Sequence, residues 1–469
     1  MRPGGRLVML NTKNNFAQPV ANRIRSVFLI TVFLVAAGCP LAAQDLATQI
    51  DQYMLATQRS SHFSGSIMIF GSYRMLVSKG YGMANIELDA RNTPQTKFRL
   101  GSITKQFTAM AILQLQEKGK LNLQDSICKY IAECPQDWQG IRIFNLLTHT
   151  SGIPNFTDFP DYKKTMTLPT TVPELLARFK DKPLEFKPGE KFKYSNSGYE
   201  VLGAIVEKVS AKPYATYLDE NIFGPLRMRD TGYDSTQRII PRRASGYSLE
   251  GDTLMNAPYL DMTIPYSAGG LYSTVEDLYR WDRALYTEKL VSKKTLEQMF
   301  TPYKDDYALG WMVRTEFNHK LITHDGGING FSSSIRRYPD SDACVIVLSN
   351  LQNADTEKIS HDLAAILFHQ PYELPKEHHT VSVDPGIYDA YAGQYQLAPD
   401  FILTVTRDGD RLMTQATGQQ KIEIFPESNT RFFLKVTDAQ IDFVKDASGQ
   451  VTQLILHQGG HDRAAKKIK

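Results

Sequence analysis

Cysteine and tryptophan are scarce in this chain, with 4 and 3 copies respectively among 469 residues. Four cysteines cannot staple a chain this long, so its order must come from apolar burial, which 42% hydrophobic residues can supply. Excess charge is missing as well: 53 Lys and Arg against 50 Asp and Glu leave a net charge of +3. With no basic stripe or Arg-rich run, the chain lacks the electrostatic footprint of a nucleic-acid binder. Gly-x-Ser-x-Gly does not occur, which removes the nucleophile elbow of the commoner Ser-His-Asp hydrolases. Internal repeats and low-complexity tracts are absent too.

One continuous apolar run stands near the N-terminus, Val27-Phe-Leu-Ile-Thr-Val-Phe-Leu-Val-Ala-Ala37, behind Arg23 and Arg25 and ahead of the small residues leading to Ala42-Ala43-Gln44. It is short for a membrane span and has the layout of a secretory signal peptide over residues 1–43, cleaved after Ala43. Translation from Met9 is a second option for its start, and Ala36-Ala-Gly-Cys39 also fits an imperfect lipoprotein box that would anchor the chain through Cys39. The expectation is a secreted or periplasmic protein with no integral span in the mature chain. In that oxidising compartment Cys128 and Cys134 can bridge a short loop, two free thiols being the alternative. Cys344 falls in the buried-strand pattern Ala343-Cys-Val-Ile-Val-Leu-Ser349 and reads as an inert small hydrophobe.

Periodicity places a helix over Leu46 to Leu55, then strands over Phe63 to Phe70 and Met75 to Tyr81 turning at Gly71-Ser72. Apolar helices follow, one carrying Ser102 and one over Gly198 to Val209, separated by Pro-, Gly- and Thr-rich connections. Trp311 to Glu316, Lys320 to His324 and Phe331 to Arg337 read as adjacent antiparallel strands, followed by the Cys344 strand and a helix over Thr356 to Phe368. Strands first, helices between and strands last describe an α+β domain over residues 44–370, its antiparallel sheet assembled from both ends and flanked by helices. A Pro-rich, charged linker is expected over residues 371–384. Residues 385–469 then read as a small all-β module of short strands, with hairpin turns at Asp408-Gly409 and Ser448-Gly449.

Three short segments carry chemistry. In Phe98-Arg-Leu-Gly-Ser-Ile-Thr-Lys105, Ser102 opens an apolar helix and Lys105 follows three residues on, on the same face. A buried lysine can lose its charge and take the serine proton, and the helix start offers free N–H groups to an oxyanion. The same serine also fits a plain N-cap, and Ser126-Ile-Cys-Lys129 repeats the spacing in a loop setting. Tyr194-Ser-Asn196 puts a phenol and an amide two apart, able to enter one cleft: the phenol as a proton shuttle with a lowered pKa, the amide orienting lysine and substrate. Taken alone, the segment reads first as a surface turn with an incidental Tyr and Asn. His324-Asp-Gly-Gly-Ile-Asn-Gly-Phe331 holds paired glycines, Gly326 and Gly327, that let a backbone approach a ligand, the Gly327 N–H joining that of Ser102 as an oxyanion hole; a Gly-rich hairpin turn is the other reading.

Taken in order, Ser102 to Lys105, Tyr194 to Asn196 and His324 to Gly326 resemble the three boxes of the serine β-lactamase and penicillin-binding-protein superfamily, especially its class C, D-aminopeptidase and esterase branch. Leu146-Leu-Thr-His-Thr-Ser-Gly152, Ala268-Gly-Gly-Leu-Tyr-Ser-Thr274 and Tyr307-Ala-Leu-Gly-Trp311 are similar to further family segments, over about residues 46 to 370. The resemblance implies a β-lactamase-like fold with an all-helical subregion, no metal and no cofactor. It also implies an acyl-enzyme on Ser102, Lys105 as base, Tyr194 as proton shuttle supported by Asn196, and His324 on the substrate's carboxylate or carbonyl side. Histidine replaces the lysine of the third box, which weakens the hold on a free carboxylate and favours peptides, amides or esters over penicillins. A non-catalytic or slow peptidoglycan or β-lactam sensor is the alternative. His149 is expected to be structural, satisfied within its turn, and His457, His461 and Asp462 lack metal-ligand spacing. The β-module can cap the site, contact substrate, mediate self-association or merely stabilise.

Overall fold

The computed structural model describes residues 40–469 apart from 251–252, 436–438 and 459–460. Of the leader read over residues 1–43, only 40–43 fall within it, at the start of helix α1 (Pro40–Ser61); the apolar run and Cys39 lie outside the described residues.

The central sheet is antiparallel and six-stranded. It is built from β1 (Gly65–Gly71), β2 (Arg74–Tyr81), β3 (Met312–Glu316), β4 (His319–Ile328), β5 (Phe331–Tyr338) and β6 (Ala343–Ser349), in the order β3-β4-β5-β6-β1-β2. The first and last strands of the domain thus pair at the middle, with Ile67 opposite Val347 and Met68 opposite Ile346. β1 and β6 are buried along their whole length because side chains of alternating parity feed two different cores. Ile67, Ile69, Val345 and Val347 pack with Ile50, Tyr53 and Met54 of α1 and with Leu363 and Ile366 of the C-terminal helix (Thr356–Leu367). Met68, Cys344, Ile346 and Leu348 join the larger core of the helical region.

Helix α2 (Thr104–Glu117) forms the axis of that region and is buried on every side from Thr104 to Leu115. Phe107, Ala109, Met110, Ala111, Ile112, Leu113 and Leu115 fill it without an interrupting Gly or Pro, as an interior helix requires. It stops where Gly119 takes φ +66°, so that the Gly119 N–H reaches the Gln116 carbonyl and the Lys120 N–H reaches that of Leu115. Helix α3 (Asn196–Ser210) packs across α2, and α4 (Val275–Ala284) is tied to it by the Trp281 indole N–H on Gln106 Oε1 at 2.9 Å. The Thr356–Leu367 helix becomes α5.

Two turns lie elsewhere than expected. The β1–β2 hairpin turns at Ser72 and Tyr73, both at positive φ, rather than at Gly71, which still pairs with Arg74. A two-residue hairpin needs the primed turn that matches strand twist, and this geometry overrides residue preference. Strand β4 runs beyond His324 to Ile328, carrying Gly326 and Gly327 inside the ladder opposite Ser333 and Ser332, and the turn falls at Asn329-Gly330. The paired glycines are strand residues and not a hairpin turn.

Beyond the linker, β7 (Gly393–Ala398), β8 (Phe401–Asp408), β9 (Arg411–Ala416), β10 (Ile422–Pro426), β11 (Arg431–Leu434), β12 (Ala439–Lys445), β13 (Val451–Gln458) and β14 (His461–Lys467) close a barrel in sequence order. Closure runs through Tyr395 opposite Lys467 and Gln396 opposite Lys466. Its core gathers Tyr391, Tyr395, Phe432, Ile441, Phe443 and Leu454. No helix among the described residues is long and apolar enough to cross a membrane.

Candidate active site

Ser102 sits in a 3₁₀ turn, Gly101–Ile103, that runs directly into α2. Its hydroxyl does not cap that helix, which disposes of the N-cap reading. The repeated spacing at Ser126 is different: Ser126 caps the turn Ile127–Lys129 through the Cys128 N–H, and Lys129 pairs with Asp125 at 3.0 Å. Cys128 and Cys134 are joined by a disulfide, and Cys344 is free and buried.

Two backbones meet at Ser102. Gly101 has φ +53°, and a Cβ there would stand 2.7 Å from the Gly327 carbonyl oxygen; one on Gly326 would stand 2.0 Å from the Leu100 oxygen and 3.1 Å from the Ser102 nitrogen. Only glycine allows so close an approach. The Ser333 hydroxyl donates to the Leu100 carbonyl at 2.8 Å and pins the turn to β5. Gly327, with open space beside it, therefore faces the cleft at the level of Ser102.

The Lys105 Nζ lies 3.0 Å from Ser102 Oγ, 2.9 Å from Asn196 Oδ1 and 2.8 Å from the Ala268 carbonyl oxygen. Burial pushes its pKa down to about 7, against the upward pull of the Glu200 charge. A neutral amine has two N–H donors and one lone pair. Asn196 and Ala268 can only accept at those atoms and so take both donors, which leaves the lone pair for the Ser102 hydroxyl. Asn196 is the first residue of α3, its backbone N–H held by Asn155 and its amide N–H donating to Thr157, which aims Oδ1 at the lysine.

Tyr194 approaches from the extended segment before α3 and hydrogen-bonds to Ser102. Its ring lies 4.9 Å from the Lys105 Nζ and packs 4.2 Å from His149 between ring centres. The lowered phenol pKa expected for it is corrected. Burial raises the pKa well above 10, and the Ser102 hydrogen bond only partly offsets this. His149 is buried as expected but is not satisfied within its turn: Nδ1 accepts the Ser195 N–H at 3.1 Å, and Nε2 has no partner.

His324 faces the same cleft in a neutral state. Burial and the nearby Lys105 push its pKa down to about 4. Nδ1 is 2.6 Å from the Asp325 carbonyl and so carries the proton, leaving Nε2 to accept the Tyr307 hydroxyl at 3.0 Å. With both ring nitrogens engaged, the imidazole offers neither a positive charge nor a free N–H to a substrate carboxylate. The cleft beside it, a cavity of about 560 Å³ bordered by Ser102, Tyr194 and His324, is lined by Asp325, Asp355 and Glu357 and by no lysine or arginine among the described residues. A second cavity of about 190 Å³ opens on the other side of Ser102, walled by Asn196, Phe156, Tyr162 and Glu200. Glu200 was not foreseen. It is fully buried, and burial lifts its pKa to about 8 despite the pull of Lys105. A lone acid four residues past Asn196, at the start of an apolar helix, was the available signal.

His457 bonds Asp462 at 2.6 Å and Asp442 at 3.1 Å on the barrel, and among the described residues no group of three or more such side chains is placed to hold a metal ion.

A serine, a buried amine and a phenol joined by hydrogen bonds at the start of a helix, on a sheet flanked by helices, define a serine hydrolase of the Ser-x-x-Lys type. The β-lactamase family matches residues 48–369, and a domain of unknown function (DUF3471) matches residues 377–467. The chain belongs to the β-lactamase family. Penicillin-binding protein 4* of Bacillus subtilis (strain 168) is 30% identical over 454 residues, covering 89% of this chain and 98% of that protein. The octameric penicillin-binding protein homologue from Pyrococcus abyssi superposes with TM-score 0.64 at 27% identity, over 89% of this chain and 99% of that one. A D-stereospecific amidohydrolase from Streptomyces sp. shares the fold at 24% identity, with TM-score 0.60 over 68% of this chain and 99% of that one.

Proposed function

We propose that this protein is an exported hydrolase that cleaves amide or ester bonds through an acyl-enzyme on Ser102, acting on substrates whose leaving part carries no free carboxylate. The observation that carries the reading is the buried Lys105 Nζ, 3.0 Å from Ser102 Oγ and held by Asn196 Oδ1 and the Ala268 carbonyl. Lys105 takes the hydroxyl proton as Ser102 Oγ attacks the carbonyl carbon. The backbone N–H groups of Ser102 and Gly327 receive the oxyanion. Tyr194, protonated throughout the working range, passes its proton to the leaving nitrogen or oxygen and is refilled from Lys105. Water then enters with Tyr194 as relay, the ester carbonyl–Oγ bond breaks, and Ser102 recovers its proton.

Substrate class follows from charge. A leaving-group carboxylate would enter a cleft with acidic side chains and a neutral, fully bonded His324, so amides and esters are favoured. The leader read over residues 1–43 supports export, and D-amino-acid amides and peptides are the first substrates to try. Because a curated relative is named a penicillin-binding protein, β-lactam acylation is tested alongside. Purified protein is assayed on p-nitrophenyl esters, D-amino-acid amides and a chromogenic cephalosporin, with a fluorophosphonate probe for the nucleophile. Turnover of an ester or amide, with labelling lost in Ser102→Ala, is expected. Tight β-lactam binding preserved in Ser102→Ala with no turnover of any substrate assigns the protein to the sensor class instead.

A further inference from the structure

Lys105 is held by two acceptors, and only one of them, Asn196, belongs to the motifs. The other is the carbonyl of Ala268, in the short helix Tyr266–Gly269. That helix is pressed against α3: a Cβ on Gly203 would lie 2.1 Å from Ser267 Oγ, so only glycine admits the contact. Glu200, one turn before Gly203 and one turn after Asn196, grips the same helix. Its Oε2 accepts the Ser267 backbone N–H at 3.1 Å and lies 3.3 Å from the Ser267 hydroxyl, which also donates to the Tyr199 carbonyl at 2.9 Å. Its Oε1 is buried without a hydrogen-bond partner, and the side chain forms part of the wall of the smaller cavity beside Ser102. One face of α3 therefore reaches the lysine twice, directly through Asn196 and through the Ser267–Ala268 backbone from Glu200.

We propose that Glu200 is a positioning residue for the base: its carboxyl holds the Tyr266–Gly269 turn so that the Ala268 carbonyl takes one N–H of Lys105, and its negative charge governs when that amine gives up its proton. The inference rests on the reading of Lys105 as the base. Other titratable groups face the pair. On the lysine side stand His149 and His324, both held neutral by burial, and Tyr194 and Tyr199, whose rings lie 4.9 and 5.5 Å from Nζ and whose phenols burial holds protonated. On the Glu200 side stand Tyr162, Tyr214, Tyr233 and Tyr266, all held protonated by burial. Lys105 and Glu200 are left as the groups that change charge near neutral pH, and they titrate as one coupled pair.

The sign is determined by charge. Ionised Glu200 favours the ammonium, so removing it frees the amine at lower pH. The test is kcat/KM against pH, on the best p-nitrophenyl ester, for wild type, Glu200→Gln, Glu200→Asp and Lys105→Ala, with fluorophosphonate labelling of each. Glu200→Gln keeps an acceptor for Ser267, so its plateau stays within about tenfold of wild type, while the acid limb moves down by about one pH unit. Glu200→Asp keeps the charge and holds the limb near its wild-type position, at a lower plateau because the shorter side chain strains the Ser267 bonds. An acid limb unmoved in Glu200→Gln, or moved as far in Glu200→Asp, makes the role purely structural and overturns the inference. Lys105→Ala reports separately: wild-type labelling in that variant sinks the base itself, whereas a dead Lys105→Ala with an unmoved Glu200→Gln limb sinks only Glu200. Should the Glu200 variants not fold, the Lys105 ¹³Cε resonance of the wild type reads the same coupling. A two-step titration supports it, and a single step overturns it.

Discussion

At the residue scale the working parts are an amine that is half-neutral near pH 7 and a phenol that is not ionised there. With Lys105 as the proposed base it must be uncharged to act, so kcat/KM should rise with pH through about 7 and then level, and Tyr194, with its pKa raised by burial, should add no falling limb in the working range. Lys105→Ala and Tyr194→Phe should each lower turnover by about 10² or more, the loss typical of a positioned proton-transfer group. Steady-state kinetics on one good ester checks both, and near-normal rates in either variant remove that residue from the mechanism. Gly101 is a different kind of site residue, contributing no functional group. Alanine there meets both a left-handed φ and the Gly327 carbonyl at 2.7 Å, so Gly101→Ala should destabilise the fold by about 1–3 kcal/mol and slow fluorophosphonate labelling of Ser102. A variant that labels at the wild-type rate would show that the Gly101–Gly327 contact is not what places the nucleophile.

At the element scale, strand β5 and helix α5 are joined by a half-buried polar cluster away from the chemistry. Glu316 at the end of β3 accepts from Arg336 at 2.7 and 2.9 Å, from His361 at 2.8 Å and from Tyr338. Burial alone would raise its pKa, but the hydrogen bond from His361, the Arg336 charge and the Tyr338 hydroxyl outweigh it and hold it at about 2. A depressed carboxyl stabilises the fold above its unfolded value and loses that contribution as pH falls through its folded value. Wild type should therefore lose stability between about pH 4.5 and 2, and Glu316→Gln should be less stable at pH 7 but show a flatter decline over that window. Urea midpoints measured across the window check this, and equal slopes refute it. The same elements show what could be read beforehand. The apolar run Ile67-Met-Ile-Phe70 and the run Ala343 to Ser349 announced strands, because a strand buried on both faces is apolar at successive residues. The grouping of Ser102, Lys105, Tyr194 and Asn196 was legible because these side-chain types stand at the spacings of the resembled boxes. Ala268 was not, since it contributes a carbonyl that every residue has, and the extension of β4 through Gly326 and Gly327 was missed because glycine carries no pattern.

At the scale of the whole molecule the question is whether the barrel shares in catalysis. Five of its eight strands, β8, β9, β11, β12 and β13, are legible as short segments, several of them alternating, while β7 and β10 went unread and β14, His461–Lys467, was hidden by its polar composition: only Ala465 in it is buried, and its place is set by closure against β7 and not by apolar periodicity. The barrel core and the two cores of the hydrolase domain share no residue, and the linker divides its contacts, Tyr372 against Tyr53 of α1 and His378 stacked on Phe433 of β11. Phe432 is fully buried among Tyr388, Tyr391 and Phe443, so Phe432→Ala opens a cavity costing about 3–5 kcal/mol within the barrel alone. If the barrel is a stabilising appendage, this variant should lose barrel structure at a lower temperature yet label Ser102 at the wild-type rate at 25 °C, with KM unchanged on small esters. If the barrel borders the substrate path, kcat should hold on p-nitrophenyl acetate while KM rises on longer peptide amides, because only the extended substrate reaches it. Paired kinetics on those two substrates, with thermal unfolding followed in parallel, separate the two cases in a single variant.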